Sequence, residues 1–417
     1  MTGAAGLGAA LPDSLRKLQR RTRVLGPAGL AVCAAALLFD RDQFFRSYLI
    51  GFLLCLGWSL GSMAILMIHH LAGGSWGFVS RRVLEAATRT LPLLTILFLP
   101  IPLGLAFQWS HIYPWADGAE AARGEVLRHN SAYLNVPFFL WRAVFYFAVW
   151  LALSGLLNRW SSEQDRTGDA ALQTRLRYLS APGILLYALT VTFAAIDWAM
   201  SLEPEWFSTI YGVMFIVGQA VGAMALAICV LSRLVEAAPL RSALGPAQSN
   251  DLGNFQLAFV MLWAYVSLSQ FLIIWSANIP EEIHWYLSRT TSGWQGLAVF
   301  LTVFHFAVPF LFLISRPLKR DLRRLSRVAL LLLLLRVADL YWLVAPAFGG
   351  HGAGGRPEAG TEHAGFSMTW LDVLLPASLA ALWLAQFLKE IEKRPLLPLH
   401  DPRFEPAMEA HAKGGHA

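Results

Sequence analysis

Charge is what this chain has least of. Only 14% of its 417 residues are Asp, Glu, Lys or Arg, against about 25% in an ordinary soluble domain. A string of water-soluble domains is therefore excluded. Cysteine is almost missing: Cys33, Cys55 and Cys229 all fall in apolar runs, none at metal-ligand spacing. That spacing speaks against a disulfide framework or a cysteine-held iron–sulfur cluster and leaves three small core residues. The chain also lacks a Cys-x-x-Cys-His haem attachment, a glycine-rich phosphate loop and a hydrolase triad,. Redox chemistry, if it occurs here, belongs to partners.

What is abundant is apolar length. Hydrophobic residues make up 56% of the chain, with 16 Trp and 26 Phe suited to interfacial belts,. Apolar runs fall at about 24–39, 47–69, 90–108, 138–157, 178–199, 207–233, 254–277, 293–313, 328–347 and 369–388. A membrane span needs roughly 20 such residues, so the expected fold class is all-α: a polytopic integral membrane protein of about ten transmembrane helices in bundles. The division is a basic tail at 1–23, a ten-helix domain at 24–388 and a tail at 389–417. Arg16, Lys17, Arg20, Arg21 and Arg23 precede the first run without a small-residue cleavage site, which reads as a retained helix rather than a signal peptide,.

The net charge of +6 does not indicate nucleic acid, because the basic residues lie between apolar runs. Of 33 Lys and Arg, 25 fall on the side of the termini, six on the opposite loops, and Arg142 and Arg336 inside runs. Cytoplasmic loops carry the excess of basic residues, so both termini are expected in the cytoplasm. The opposite loops are rich in Trp, Tyr, Pro and acids. The Gly/His stretch Gly349–Gly365 is expected to be mobile, and the Pro-broken tail from Pro395 extended. Gly57, Ser59, Gly61 and Ser62 offer a small-residue face for close helix contact.

Ionisable groups within spans are functional candidates by default: here Arg142, His305, Arg336 and Asp339. Arg336 and Asp339, three apart, share a helix face and can neutralise each other. His305 falls at similar depth on the preceding span, which suggests a buried proton path or, alternatively, a static ion pair. Arg142 lies near the end of its run, where snorkelling explains it. The densest chemistry on the outer side is Asp197-Trp198 through Glu203-Pro204-Glu205-Trp206. It reads either as a helix-connecting turn or as a proton acceptor at the outer face, with Asp197, Glu203 and Glu205 as its carboxylates. A second outer segment, Glu281-Glu282-Ile283-His284-Trp285, reads as a surface contact or a weak metal site. On the inner side, His69 and His70 precede Gly73-Gly74-Ser75-Trp76. Adjacent residues point about 100° apart on a helix, so they do not readily ligate one ion, and haem ligation with His305 fails on depth.

Together these segments resemble the second polysulfide-reductase-type (NrfD-like) membrane subunit of alternative complex III, a bacterial quinol:electron-acceptor oxidoreductase. The resemblance rests on His69-His70-Leu71 with Gly73-Gly74-Ser75-Trp76-Gly77, and on Asp197-Trp198 through Ser208-Thr209-Ile210-Tyr211-Gly212. It continues in Trp263-Ala264-Tyr265, Trp275-Ser276-Ala277-Asn278-Ile279-Pro280-Glu281-Glu282 and the closing Pro398-Leu399-His400-Asp401-Pro402. It implies a place in the bacterial cytoplasmic membrane. The implied partners are a sister NrfD-like membrane subunit, a multihaem cytochrome c subunit, an iron–sulfur protein and small membrane anchors. Haem c and iron–sulfur clusters would sit in those partners and none in this chain. Menaquinol or ubiquinol would be the substrate of the complex, its better-supported pocket in the sister subunit. This chain would then serve proton movement or scaffolding, with Asp197, Glu203, Glu205, His305, Arg336 and Asp339 handling protons. Trp198, Trp206, His69 and His70 are the weaker quinone-site candidates. A proton-coupled secondary transporter and a purely structural anchor are the competing readings.

Overall fold

In a computed structural model of the chain, residues 11–117, 125–237, 240–348, 365–398, 400–406 and 408–409 are described. Among them there is no strand, and ten helical stretches are long and apolar enough to cross a membrane. The protein is thus an all-α, multi-pass membrane protein. The spans, numbered in chain order, are 1 (Asp13–Leu38), 2 (Arg41–Ala72), 3 (Ser75–Ala106), 4 (Val136–Thr167), 5 (Ala170–Leu202), 6 (Tyr211–Leu234), 7 (Pro246–Ala277), 8 (Trp294–Ile314), 9 (Leu322–Phe348) and 10 (Trp370–Glu392). Gln19 at the start of span 1 donates to Glu392 at the end of span 10 (3.2 Å). The two termini therefore share one end of the bundle, here the terminal end; the other is the far end.

Helices outlast their apolar runs because nothing in the flanking polar residues stops them. The first begins at Asp13, so Arg16 to Arg23 form its opening turns instead of a separate tail. Span 4 runs to Thr167 and span 5 starts at Ala170. Gly168 ends one in the left-handed region (φ 67°), where a Cβ would be strained, and the Asp169 side chain caps the other by accepting from the Ala171 N–H (2.8 Å),. A basic loop of some twenty residues on sequence grounds is thus a two-residue hinge.

Span 2 is the axis of the bundle and is almost wholly buried. Its small residues do what the sequence suggests. A Cβ on Gly61 would lie 2.3 Å from the backbone oxygen of Gln219, and one on Gly57 3.3 Å from the Gln219 side chain. Backbones of spans 2 and 6 therefore approach closely at this face. Cys33 and Cys55 are buried and Cys229 half-buried, all as free thiols.

Span 3 is helical in three pieces: Ser75–Thr88, Leu91–Phe98 and Pro100–Ala106. Pro92 has no N–H for the carbonyl of Thr88, and Ser154 Oγ of span 4 donates to that oxygen instead (3.0 Å),. A neighbouring helix thus satisfies the group a proline frees, as lipid requires.

The closing tail is not extended. Leu396 and Leu397 are buried, and Asp401 is fully buried against Arg81 (2.8 Å). Phe404 sets its ring edge-on to Phe78 at 5.7 Å. The buried carboxylate anchors the chain back under the bundle, which a polar, Pro-broken sequence does not foretell. Residues 349–364, in the Gly/His stretch, and Leu399 lie outside the described residues.

Candidate functional site

Three spans bring the mid-bundle candidates together. Arg336 and Asp339 of span 9 form an ion pair, each almost fully buried. The indole N–H of Trp263, from span 7, donates to Asp339 Oδ2 (3.3 Å), the same oxygen that Arg336 takes. The same indole lies against the His305 ring of span 8, centroids 4.4 Å apart. His305 is fully buried, and neither ring nitrogen has a hydrogen-bond partner among the described residues. Trp263 therefore bridges His305 and Asp339. The sequence placed the outer two at equal depth but gave no sign of the indole between them, because a tryptophan in an apolar run looks like packing.

Two backbone features make room for this cluster. Gly218 of span 6 faces Arg336 so closely that a Cβ there would lie 2.2 Å from the guanidinium carbon. Around His305 the helix widens, Thr302–Ala307 being π-helical. Pro309, just beyond, has no N–H for the carbonyl of His305 four residues back. Wide turns of this kind recur at functional sites. The arrangement offers a carboxylate, a cation and an imidazole in an apolar surrounding, with imidazole nitrogens free to take or give a proton through water.

At the far end the candidates separate into two locked pairs. Asp197, fully buried, accepts from Arg142 Nε (2.8 Å), Arg142 Nη2 (2.9 Å) and the Tyr146 hydroxyl (2.7 Å). Arg142 also donates to the Tyr133 carbonyl (2.8 Å) and lies over the Tyr133 and Phe138 rings. Arg142 does not snorkel: it is the counter-ion of Asp197. Glu203 pairs with Arg289 (2.7 Å), whose guanidinium also donates to the carbonyls of Trp285 and Leu343 (3.0 Å each) and lies over the Trp285 ring. Arg289 thus ties the 200s turn and the short helix Pro280–Thr290 to span 9. Glu205 is exposed.

The aromatic candidates at this end are packed among other rings. Trp198 is buried in a nest of Phe52, Phe98, Phe147 and Trp150. Its backbone oxygen takes the Tyr113 hydroxyl (3.0 Å), a phenol that burial pushes well above its ordinary pKa. Trp206 stacks on Trp285 at 4.6 Å.

His69 and His70 are fully buried near the terminal end, far along span 2 from this aromatic nest, so the four weaker candidates make no common pocket. No ring nitrogen of either histidine has a hydrogen-bond partner among the described residues. His69 fits only because Gly77 lacks a side chain: a Cβ there would lie 1.8 Å from His69 Nδ1.

The largest charged network was missed altogether. Glu85 of span 3, almost fully buried, takes Arg81 (2.9 Å), Arg82 (2.7 Å), Arg394 (3.3 Å) and the Ser161 hydroxyl (2.5 Å). Arg82 pairs also with Asp165, and Arg81 with Asp401. These residues read as loop charges because the apolar runs end before them; only the excess of arginine hinted at a hub. Among the described residues, no three His, Cys, Asp or Glu side chains are grouped to hold a metal. Set against protein-family models and curated proteins, the chain matches none.

Proposed function

We propose that this chain is the proton-handling membrane subunit of a quinol:electron-acceptor oxidoreductase complex in a bacterial cytoplasmic membrane, with no cofactor of its own. The observation that carries the reading is the His305–Trp263–Asp339–Arg336 cluster, four polar side chains from three spans placed mid-bundle. A charge at such depth costs about 2.5–3.5 kcal/mol on insertion scales. A helix-packing role alone needs only the Arg336–Asp339 pair; it gives no reason for a buried imidazole on the preceding span with no hydrogen-bond partner among the described residues. Quinol oxidation releases protons, and haem c and iron–sulfur clusters in partner subunits would take the electrons. The sister NrfD-like subunit would hold the menaquinol or ubiquinol. Asp197 and Glu203, each held by an arginine, fit a structural role better than a proton relay.

The test is quinol-driven proton release measured alongside electron transfer in liposomes carrying the assembled complex. His305→Ala and Asp339→Asn are expected to lower proton movement per electron while assembly persists. Normal proton stoichiometry in both variants would overturn the assignment. The interrupted helix of span 3 and the π-helical segment of span 8 also support a second reading, a proton-coupled secondary transporter, since transporter sites are built from discontinuous helices,. Co-purification with haem and iron–sulfur proteins separates the two, and a purely structural anchor would co-purify yet leave proton movement untouched by both variants.

A further inference from the structure

The charges around Glu85 do not balance. Arg81, Arg82, Arg89, Arg394 and Arg403 converge on three carboxylates, Glu85, Asp165 and Asp401. The adjacent Glu390 is taken by Lys393 (2.5 Å). Two cations are therefore in excess, and the bonding pattern says which. Arg81 and Arg82 have close carboxylates and are at most 4% exposed, and Arg403 shares Asp401. Arg89 reaches Glu85 only at 3.9 Å, and its Nη2 has no hydrogen-bond partner among the described residues. Arg394 reaches the same, already crowded, oxygen at 3.3 Å.

The remaining partners of these two arginines are neutral. Arg89 Nε donates to the Asn158 side-chain oxygen (2.7 Å), and Arg394 Nη2 to the Asn158 carbonyl (2.8 Å). Both side chains keep a small exposed area, 15% and 16%, although Arg89 Nη2 itself is buried. They lie where spans 3 and 4 meet the end of span 10, at the terminal-end limit of the apolar runs. Burial, with the neighbouring Arg89 and Arg82 cations, also pushes Arg394 down to about 10,.

We propose that Arg89 and Arg394 form a binding site for an anionic phosphate group, supplied by the headgroup of an acidic phospholipid in the leaflet at that end. A phosphate brings acceptor oxygens for paired guanidinium donors, and basic recesses between transmembrane helices suit such headgroups. A partly buried cation excess is costly until an anion joins it. A soluble phosphate has the same chemistry, so the experiment must tell the sources apart.

The full chain in detergent is titrated with a short-chain phosphatidylglycerol, with the matching zwitterionic phosphatidylcholine and with inorganic phosphate, binding being read by native mass spectrometry. Phosphatidylglycerol is expected to bind in preference to phosphatidylcholine. Arg89→Gln and Arg394→Gln are each expected to weaken it about fivefold, the effect of one basic residue at a headgroup. Arg394→Lys, which keeps the charge, should retain the preference. Arg324→Gln should not change it, since that arginine is 65% exposed and paired with Asp321. Should Arg89→Gln fail to fold, Arg394→Gln and the selectivity of the unaltered chain still decide. Equal affinity for the two lipids, or unchanged affinity in Arg394→Gln, overturns the site. Inorganic phosphate binding at concentrations where the lipid does not bind overturns the lipid as its source.

Discussion

Arg142 of span 4 holds Asp197 of span 5 with two parallel N–H···O bonds, at 2.8 and 2.9 Å, and both residues are buried, Asp197 completely. Removing one partner strands the other in an apolar setting, a loss of about 3–5 kcal/mol. Asp197→Leu and Arg142→Leu are each expected to accumulate poorly in membranes, whereas the double variant should recover much of the yield. Quantitative blots of membrane fractions measure this. If the double variant is no better than the singles, Asp197 does more than pair.

Glu85 poses the same problem on a larger scale. Glu85→Gln leaves Arg81 and Arg82 with single carboxylates and Arg394 with none. The expected destabilisation is at least that of one broken buried pair, about 3–5 kcal/mol, read as a lowered unfolding midpoint in detergent. An unaltered midpoint would mean that the arginines find other anions.

Three glycines predict three different outcomes on replacement by alanine. At Gly61 the new Cβ meets the backbone of Gln219 at 2.3 Å, so spans 2 and 6 must separate; overpacking of this kind costs about 1–3 kcal/mol. At Gly218 it meets the guanidinium of Arg336, so the change should disturb proton movement more than stability. At Gly155 nothing lies within 4 Å, and the substitution should be silent. Thermal denaturation and proton release, measured on all three, check the order.

Orientation is tested by reporter fusions. Those at Arg82, Arg324 and the C-terminus are expected to score cytoplasmic, and those at Gly118 and Gly352 external. An external C-terminus would contradict the charge distribution, since Gln19 and Glu392 place both termini together.

Which parts of this structure were legible follows from what a bilayer demands. All ten spans could be read, because about twenty consecutive apolar residues have few other uses. Their ends could not: Arg41 and Thr167 are helical yet polar, and hydropathy stops where lipid stops, not where the helix does. In the candidate site, Arg336 and Asp339 announced themselves by charge and i,i+3 spacing. Trp263 and Gly218, which complete it, carry no charge, and their roles exist only across helices. Asp197 was singled out as a carboxylate of the outer turn, but neither its burial nor its pairing with Arg142 could be read, since the two lie 55 positions apart in the chain.

The two-residue hinge at Gly168 and Asp169 bears on how the chain enters the membrane. Spans 4 and 5 form one helical hairpin, and Arg142 and Asp197 sit near its two open ends. Each charge alone would resist leaving the insertion channel for lipid. Joined across the hairpin they present a neutral, internally bonded unit, so the two helices are suited to partition together rather than in turn. A longer connection would let Arg142 face the lipid before its partner had been synthesised.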